Sequence, residues 1–435
     1  MNTTGEGLIY RSAWPRVPTR DWLAYISAPF WIWRSPQGWT YVAWDPIVEI
    51  QTKGPERFQA LRTQMAHWAA HWHWAPEADP APPATTPRWF GGFAFMPGAA
   101  TPAWWRAFGD AHWMLPRYLY TERPDGQAWL TMLVPRGERP QWPAIPPPAP
   151  TPPPLAATIA QHEGMSWPQW LALMQRAFNA MQQGQLRKVV LARTRHLIWA
   201  TAPTLISLWS QLEHAYPATY RFAFQPKTGH ALLGATPELL VRVQGKDLET
   251  MALAGSIARG NTPQEDERLA DRLRRSRKDQ EEHRLVVQAI QEALAPLTET
   301  LIIEPIPRIR RLRHIQHLET PIRGRLREGN VLTVVERLHP TPALGGYPRA
   351  AALTFIAKHE PVPRGWYAAP IGWVTLQGDG AFAAVIRSAV VQGPEAWLYA
   401  GAGIMPTSDP QREWDEIDLK FQAMEEILAP RVIAD

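Results

Sequence analysis

Two pairs of acidic residues three positions apart, Asp279 with Glu282 and Glu413 with Glu416, lie in runs of helical rhythm. Residues three apart share a helix face, so each pair points its carboxylates the same way. Where two such faces meet, they offer oxygen donors to a hard divalent cation. Magnesium, which keeps several waters and bridges carboxylates to an anionic substrate, suits them better than zinc. The spacing also fits ordinary surface chemistry, because Glu416 with Lys420 is a standard i,i+4 ion pair, and spacing alone does not choose between the two. Lys188 opens a β-branched strand; pointed into a buried cleft it could serve as a general base, although most strand lysines reach water. Glu238 follows the Thr236-Pro237 turn, where a carboxyl is either shielded, kept protonated and used as an acid, or simply solvated. Arg387, in an alternating apolar run, and Gly401-Ala402-Gly403 offer a bidentate fork and exposed backbone N–H groups to a carboxylate. A surface arginine facing water is the competing reading.

Regular elements must hold these groups. Ser166 can cap a helix with Pro168 in its first turn and Gln169 reaching back, and WLALMQRAFNAMQQGQ continues it to Gly184. The strand RKVVLARTRHL follows, then a short helix from Leu205 to His214, strands at YRFAFQ and ALLG, the turn at Ala235-Thr236-Pro237, and a strand through ELLVRVQ. Residues 262 to 296 mix acidic, basic and apolar positions in helical rhythm. A helix near Val331 to Leu338, strands at YAAPIGWVTL, AFAAVIRSAVV and AWLYAGAGI, and a last helix from Pro410 complete a mixed α/β chain with much antiparallel sheet.

The chain has 435 residues, 45% of them hydrophobic, enough for a substantial core. No cysteine is present, which excludes disulfides, thiolate metal sites, iron–sulfur clusters and cysteine nucleophiles. The amino terminus lacks a basic start followed by a long apolar run, and no stretch of membrane-spanning length interrupts the sequence, so a cytoplasmic protein with no membrane partner is expected. The formal charge of +5 suits an anionic partner, nucleic acid or a small carboxylate. Prolines cluster from Pro80 to Pro87 and from Pro140 to Pro154, where PPPAPTPPP must be extended. The second cluster reads as a linker between a Trp/Pro-rich portion, 1–154, and a working portion, 155–435. No internal repeat is visible. His67, His71 and His73 have zinc-like spacing but are interleaved with Trp68, Trp72 and Trp74, which points to packing or surface. The arginine-rich alternation from Arg308 to Arg327 reads as a solvated face, with no nucleic-acid motif beside it.

Nine ordered motifs give this chain a resemblance. KVVLARTRHL at 188, LLGATPELLV at 232, ALAGSIARG at 252, SRKDQEEHRLVV at 276, IQHLETPIRGRL at 315, LHPTPALGGYP at 338, RGWYAAPIG at 364, AFAAVIRSA at 381 and YAGAGIMPTSDPQREWDEIDLK at 399 resemble the chorismate-utilising enzymes. That family comprises isochorismate, salicylate, anthranilate and aminodeoxychorismate synthases. The likeness covers about the last 270 residues, and GGFAF at Gly91 is similar to the family's amino-terminal part. It implies a single α/β (α+β) fold, a two-sheet antiparallel β core wrapped by helices. By position it implies Glu282 and Glu416 as Mg2+ ligands, with Asp279 and Glu413 in support, Lys188 as the base that activates water, and Glu238 as the acid that protonates the leaving hydroxyl. Tyr367, Arg387, Gly403 and Lys420 would hold the carboxylates of the substrate, chorismate, and His317 would line the pocket. Ala254, Gly255, Ser256, Thr341, Ala343 and Gly401 would complete the substrate site.

Within the family, a lysine at 188 implies water as nucleophile, since aminating members carry a different residue there, often glutamine. Ala254 in LAGS stands where aminodeoxychorismate synthases have the lysine of a PIKGT-like motif. Ala343 in HPTPALGG stands where salicylate synthases tend to have threonine. The expected activity is therefore the isomerisation of chorismate to isochorismate, a step that serves menaquinone and siderophore biosynthesis, with salicylate synthesis as the alternative. A monomer or weak homo-oligomer is expected.

Overall fold

Runs rich in β-branched and aromatic residues form long antiparallel strands in the computed structural model, which describes residues 6–79 and 82–429, without the side chain of Pro83. The first five residues, the last six and Pro80-Ala81 of the first proline cluster lie outside the described residues. Lys188–Trp199 pairs antiparallel with Glu395–Ile404, with Val190 opposite Gly403 and Ala192 opposite Gly401. From there one sheet passes through Ser388–Gln392, His230–Thr236, Tyr220–Lys227, Phe30–Arg34 and Thr40–Thr52 to Ala111–Glu122. A second sheet leaves the same strand, Ala111–Glu122. It passes through Arg88–Phe93, Pro370–Thr375, Gly380–Ala384, Leu239–Gln244 and Asp247–Ala258 to Ile315–Leu326. The two antiparallel sheets thus share a strand, and helices pack outside them: Arg277–Leu294 against Asp247–Ala258, and Pro410–Leu428 against Glu395–Ile404.

Two apolar clusters fill the interior, one around Trp31, Phe224 and Trp366, the other around Phe58, Trp113 and Val286. Of the 23 tryptophans, ten are completely buried. The indole N–H groups of Trp22, Trp31, Trp89, Trp113 and Trp209 find no acceptor among the described residues, so these rings serve as apolar bulk. Truncating one to alanine should cost about 3–5 kcal/mol.

Most elements form where the pattern places them. The helix Trp167–Gln182 carries the expected capping box, with Ser166 and Gln169 satisfying each other's backbone N–H groups. Two readings need correction. The rhythm of residues 262 to 296 breaks at Ser276, whose Oγ accepts from Asp279 N (3.3 Å) and starts a second helix, Arg277–Leu294, after Pro263–Arg275. The run AFAAVIRSAVV is likewise two strands, and Arg387 lies in the break with φ +50° instead of on a strand. The arginine-rich stretch forms the strands Arg308–Arg311 and Ile315–Leu326, and five of its seven arginines are ion-paired. Arg308 meets Glu304, Arg310 meets Glu319, Arg311 meets Asp266, Arg313 meets Glu426, and Arg325 meets Asp247. His71 Nδ1 lies 3.0 Å from the carbonyl oxygen of His67, and among the described residues no three acidic or histidine side chains form a group that could hold a metal.

Candidate active site

Lys188, which opens the strand Lys188–Trp199, is completely buried just outside the lining of a small cavity, its Nζ 2.8 Å from Oε1 of Glu282, which does line it. No acceptor among the described residues is aligned for a directed hydrogen bond to this Nζ. Glu282 comes from the helix Arg277–Leu294. The buried His283 pins this helix, reaching Ala254 O at 3.2 Å and Thr320 Oγ1 at 2.7 Å. Gly403 shows why glycine occurs above them: a Cβ there would sit 2.3 Å from Glu282 Oε1 and 2.8 Å from Lys188 Cε. Glu416, on the helix Pro410–Leu428, ion-pairs with Lys420 (2.6 Å), and Lys420 also donates to Gly401 O (2.7 Å). The i,i+4 pair anticipated for a surface helix is thus turned into the cavity.

Glu238, Glu282, His317, Tyr367, Arg387, Gly401, Gly403, Glu416 and Lys420 line this one cavity together with Ala254, Gly255, Ser256 and Ala343. It measures about 60 Å³ and shares Ser256 and Glu416 with a wider recess of about 550 Å³. A ring-sized substrate therefore occupies part of the recess or parts the lysine–glutamate pairs. Asp279 and Glu413 line the recess and not the inner cavity. Thr341 is also placed elsewhere: it lines a separate recess with Pro340 and Tyr347, and its buried hydroxyl has no partner among the described residues.

Burial pushes the Glu238 carboxyl up to about 7, even though Lys188, Lys420 and Arg387 pull the other way. It is poised to carry a proton near neutrality. Burial and the nearby cations Arg387 and Lys420 push the His317 imidazole well below its usual value, so it is neutral, with Nδ1 3.0 Å from Ser256 Oγ and 3.3 Å from Gly255 O. Burial lifts the Tyr367 phenol to about 12. Asp279 and Glu413 are raised first by burial and further by neighbouring carboxylates. Burial alone would lower the Lys278 ammonium, but Glu282, Glu413 and Glu416 outweigh it and hold it charged. Carboxylates from two helices, with Glu282 and Glu416 lining one cavity, are the donor type a hard divalent cation takes, but as placed here, paired with Lys188, Lys278 and Lys420, they do not form a group that could hold one until those pairs part.

The sequence reading missed Lys278, 2.6 Å from Glu413 Oε1 and 4.0 Å from Glu282 Oε2, although its place four residues before Glu282 was a signal. It also missed the apolar walls Val190, Leu253, Leu344, Ala368, Ile386 and Tyr399, which in sequence look like any other core residues. Behind two of these walls the buried Arg364 donates to Leu344 O (2.8 Å) and Val190 O (2.7 Å) while paired with Glu360.

Comparison with known proteins places this chain in a family. The sequence profile described as "Chorismate binding enzyme" matches residues 21–429. The salicylate biosynthesis isochorismate synthase of Pseudomonas aeruginosa is 37% identical over 427 aligned residues, covering 92% of this chain and 85% of that protein. Isochorismate synthase MenF of Bacillus subtilis is 31% identical over 405, covering 87% and 83%. Among solved structures, MenF, the menaquinone-specific isochorismate synthase from Escherichia coli, superposes with a TM-score of 0.80 at 28% identity over 97% of this chain and 94% of that one. Anthranilate synthase component I from Streptococcus pneumoniae, at 19% identity and a TM-score of 0.71 over 89% of this chain and 92% of that one, shares the fold. With a profile matching residues 21–429 and relatives aligned along most of their length, the chain belongs to the family of chorismate binding enzymes.

Proposed function

We propose that this protein is an isochorismate synthase that adds water at ring carbon 2 of chorismate as the hydroxyl on carbon 4 leaves. One observation carries the reading: a carboxyl shifted to about 7 lines the cavity, and a buried lysine, the candidate base, stands behind its wall, 2.8 Å from the lining residue Glu282. Lys188 takes a proton from the attacking water, and Glu282, 2.8 Å away, compensates the ammonium that forms. Glu238 gives its proton to the departing hydroxyl, so water is added and water is lost with no change in composition. Each role is worth roughly 10²–10⁴ in rate. Arg387, Tyr367, Lys420 and the backbone at Gly403 hold the substrate carboxylates. Glu282 and Glu416, with Asp279 and Glu413 in support, would hold Mg2+, which would supply positive charge to the anionic substrate. Ala343, which brings no hydroxyl to the cavity wall, favours release of isochorismate over the salicylate alternative. The names of the relatives, several of them isochorismate synthases, support the same reaction.

The test is chromatographic product analysis after incubating the purified protein with chorismate, with magnesium and then with a chelator. Isochorismate formed only with magnesium is the expected result. Salicylate with pyruvate would replace this reading by the lyase, and unchanged chorismate would remove it.

A further inference from the structure

Arg387 and Pro237 line not only the catalytic cavity but also a separate recess of about 200 Å³ on the surface between the Ala215–Thr219 loop and the helix Pro410–Leu428. The walls of this recess are mostly apolar, among them Tyr216, Ala218, Leu312, Ile315 and Leu419, and no carboxylate lines it. Arg259, Arg311 and Arg313 also line it, and each of these is already paired. Arg259 and Arg311 hold Asp266 at 2.7 Å and 3.2 Å, and Arg313 shares Glu426 with His314 at 3.1 Å and 3.0 Å. Arg387 differs from them. Its buried guanidinium has no ion pair or side-chain hydrogen bond among the described residues, and after burial itself the groups that bear on it are Tyr367, of the cavity, Tyr216, of the recess, and then the cavity carboxylates Glu416 and Glu238. Its backbone is held at φ +50°, a strain that places this side chain in the partition between the two spaces.

A guanidinium has five N–H donors and a bidentate carboxylate uses two, so one arginine can serve two anions. From the recess's size, its apolar walls and this unpaired cation at its inner end, we infer that it is a second ligand site. Its ligand is a small monocarboxylate with one flat apolar ring, the carboxylate on Arg387 and the ring against Tyr216 and Leu419. The arginine-rich stretch contributes Arg311 and Arg313 to a collar that offsets Asp266 and Glu426, carboxylates that would otherwise repel an anion at the recess. Occupancy pulls Arg387 away from the catalytic cavity, so it weakens substrate binding without filling the substrate's place. That consequence rests on the reading of the cavity as a chorismate site; binding to the recess does not.

Benzoate is the probe, titrated calorimetrically into the full chain without chorismate and then used as an inhibitor of chorismate turnover. Ala218→Phe narrows the recess at an exposed loop position, and Arg313→Gln removes part of the collar; neither residue belongs to the catalytic machinery. The expected result is benzoate binding that weakens at least tenfold in both variants, with benzoate raising KM but not kcat in the unsubstituted protein. Kinetics without benzoate should be unchanged in both variants. Equal benzoate affinity in all three proteins would assign benzoate to the catalytic cavity and overturn the proposal, as would no binding at millimolar benzoate. Should Ala218→Phe fail to fold, Arg313→Gln decides alone. Should chorismate not turn over, the calorimetry still decides.

Discussion

Glu238 and Lys188 carry opposite consequences when they are replaced. The carboxyl of Glu238 moves from about 4.5 to about 7 on folding because burial disfavours its charge. A group whose folded value is raised favours the fold fully below its unfolded value, and that contribution is lost as pH rises through the folded one. Stability should therefore fall between pH 4.5 and 7, by at most about 3 kcal/mol. Glu238→Gln should abolish this component: denaturant melts at pH 5 and pH 8 would differ less than in the unsubstituted protein, and the variant should be the more stable at pH 8 although it is inactive. Turnover should decline above pH 7, as the acid form is lost. A variant with normal turnover would take the acid role from Glu238. Lys188→Ala removes the counter-ion of a buried carboxylate as well as the base. Its loss should cost about 3 kcal/mol, because Lys278 at 4.0 Å compensates Glu282 only in part. Turnover should drop by roughly 10² or more, and melting with product assays separates the two effects. Activity near that of the unsubstituted chain would end the mechanism.

At the scale of elements, the site depends on one helix being fixed to one strand. The far face of Pro410–Leu428 rests on Arg193 and Arg195 of the strand that starts at Lys188. Arg193 reaches Asp418 (2.8 Å) and Glu163 (3.1 Å), and its guanidinium lies 3.2 Å over the Trp414 ring; Arg195 joins Asp418 (3.1 Å), Glu163 (2.6 Å) and Glu425. Glu416 and Lys420 therefore take their places relative to Lys188 from contacts on the opposite side of their helix. Arg193→Met should lower stability by about 2 kcal/mol, since its acidic partners are only partly buried. It should also raise the magnesium concentration needed for half-maximal turnover several-fold. A lowered melting point with unchanged magnesium dependence would limit Arg193 to stability.

At the scale of the whole molecule, the proline-rich strap at 140–154 does not separate two sheets. Phe30–Arg34 pairs with Tyr220–Lys227, and Arg88–Phe93 pairs with Pro370–Thr375, so strands from before the strap complete both sheets that carry the site. A fragment beginning at Leu155 would expose those edges and lack about a third of the residues of the two apolar clusters. It should aggregate or lack a cooperative transition, whereas in the full chain tryptophan fluorescence and far-ultraviolet circular dichroism should melt together. A soluble, cooperatively melting fragment would show that the first portion is dispensable for folding. Among the described residues no helix is long and apolar enough to cross a membrane.

Sequence by itself determined the helices and strands whose periodicity is strong, the capping box at Ser166, and the identities of most residues that line the cavity. A local pattern sets those features. It also supplied Glu282 and Glu416, because the two acidic faces and the ordered motifs pointed to the same positions. Tertiary structure alone decided the rest. The break that sets Arg387 at positive φ arises where two strands from one apolar run join different neighbours, which alternation cannot show. The shift of Glu238 follows from burial among residues far apart in the chain, and the exclusion of Thr341 from the cavity follows from the direction its loop takes. Lys278, His283 and Arg364 looked like ordinary charged or polar residues until the fold gave them partners 29 to 174 positions away. Spacing fixes which residues share a face, but long-range pairing decides what that face meets, and the chemistry depends on the meeting.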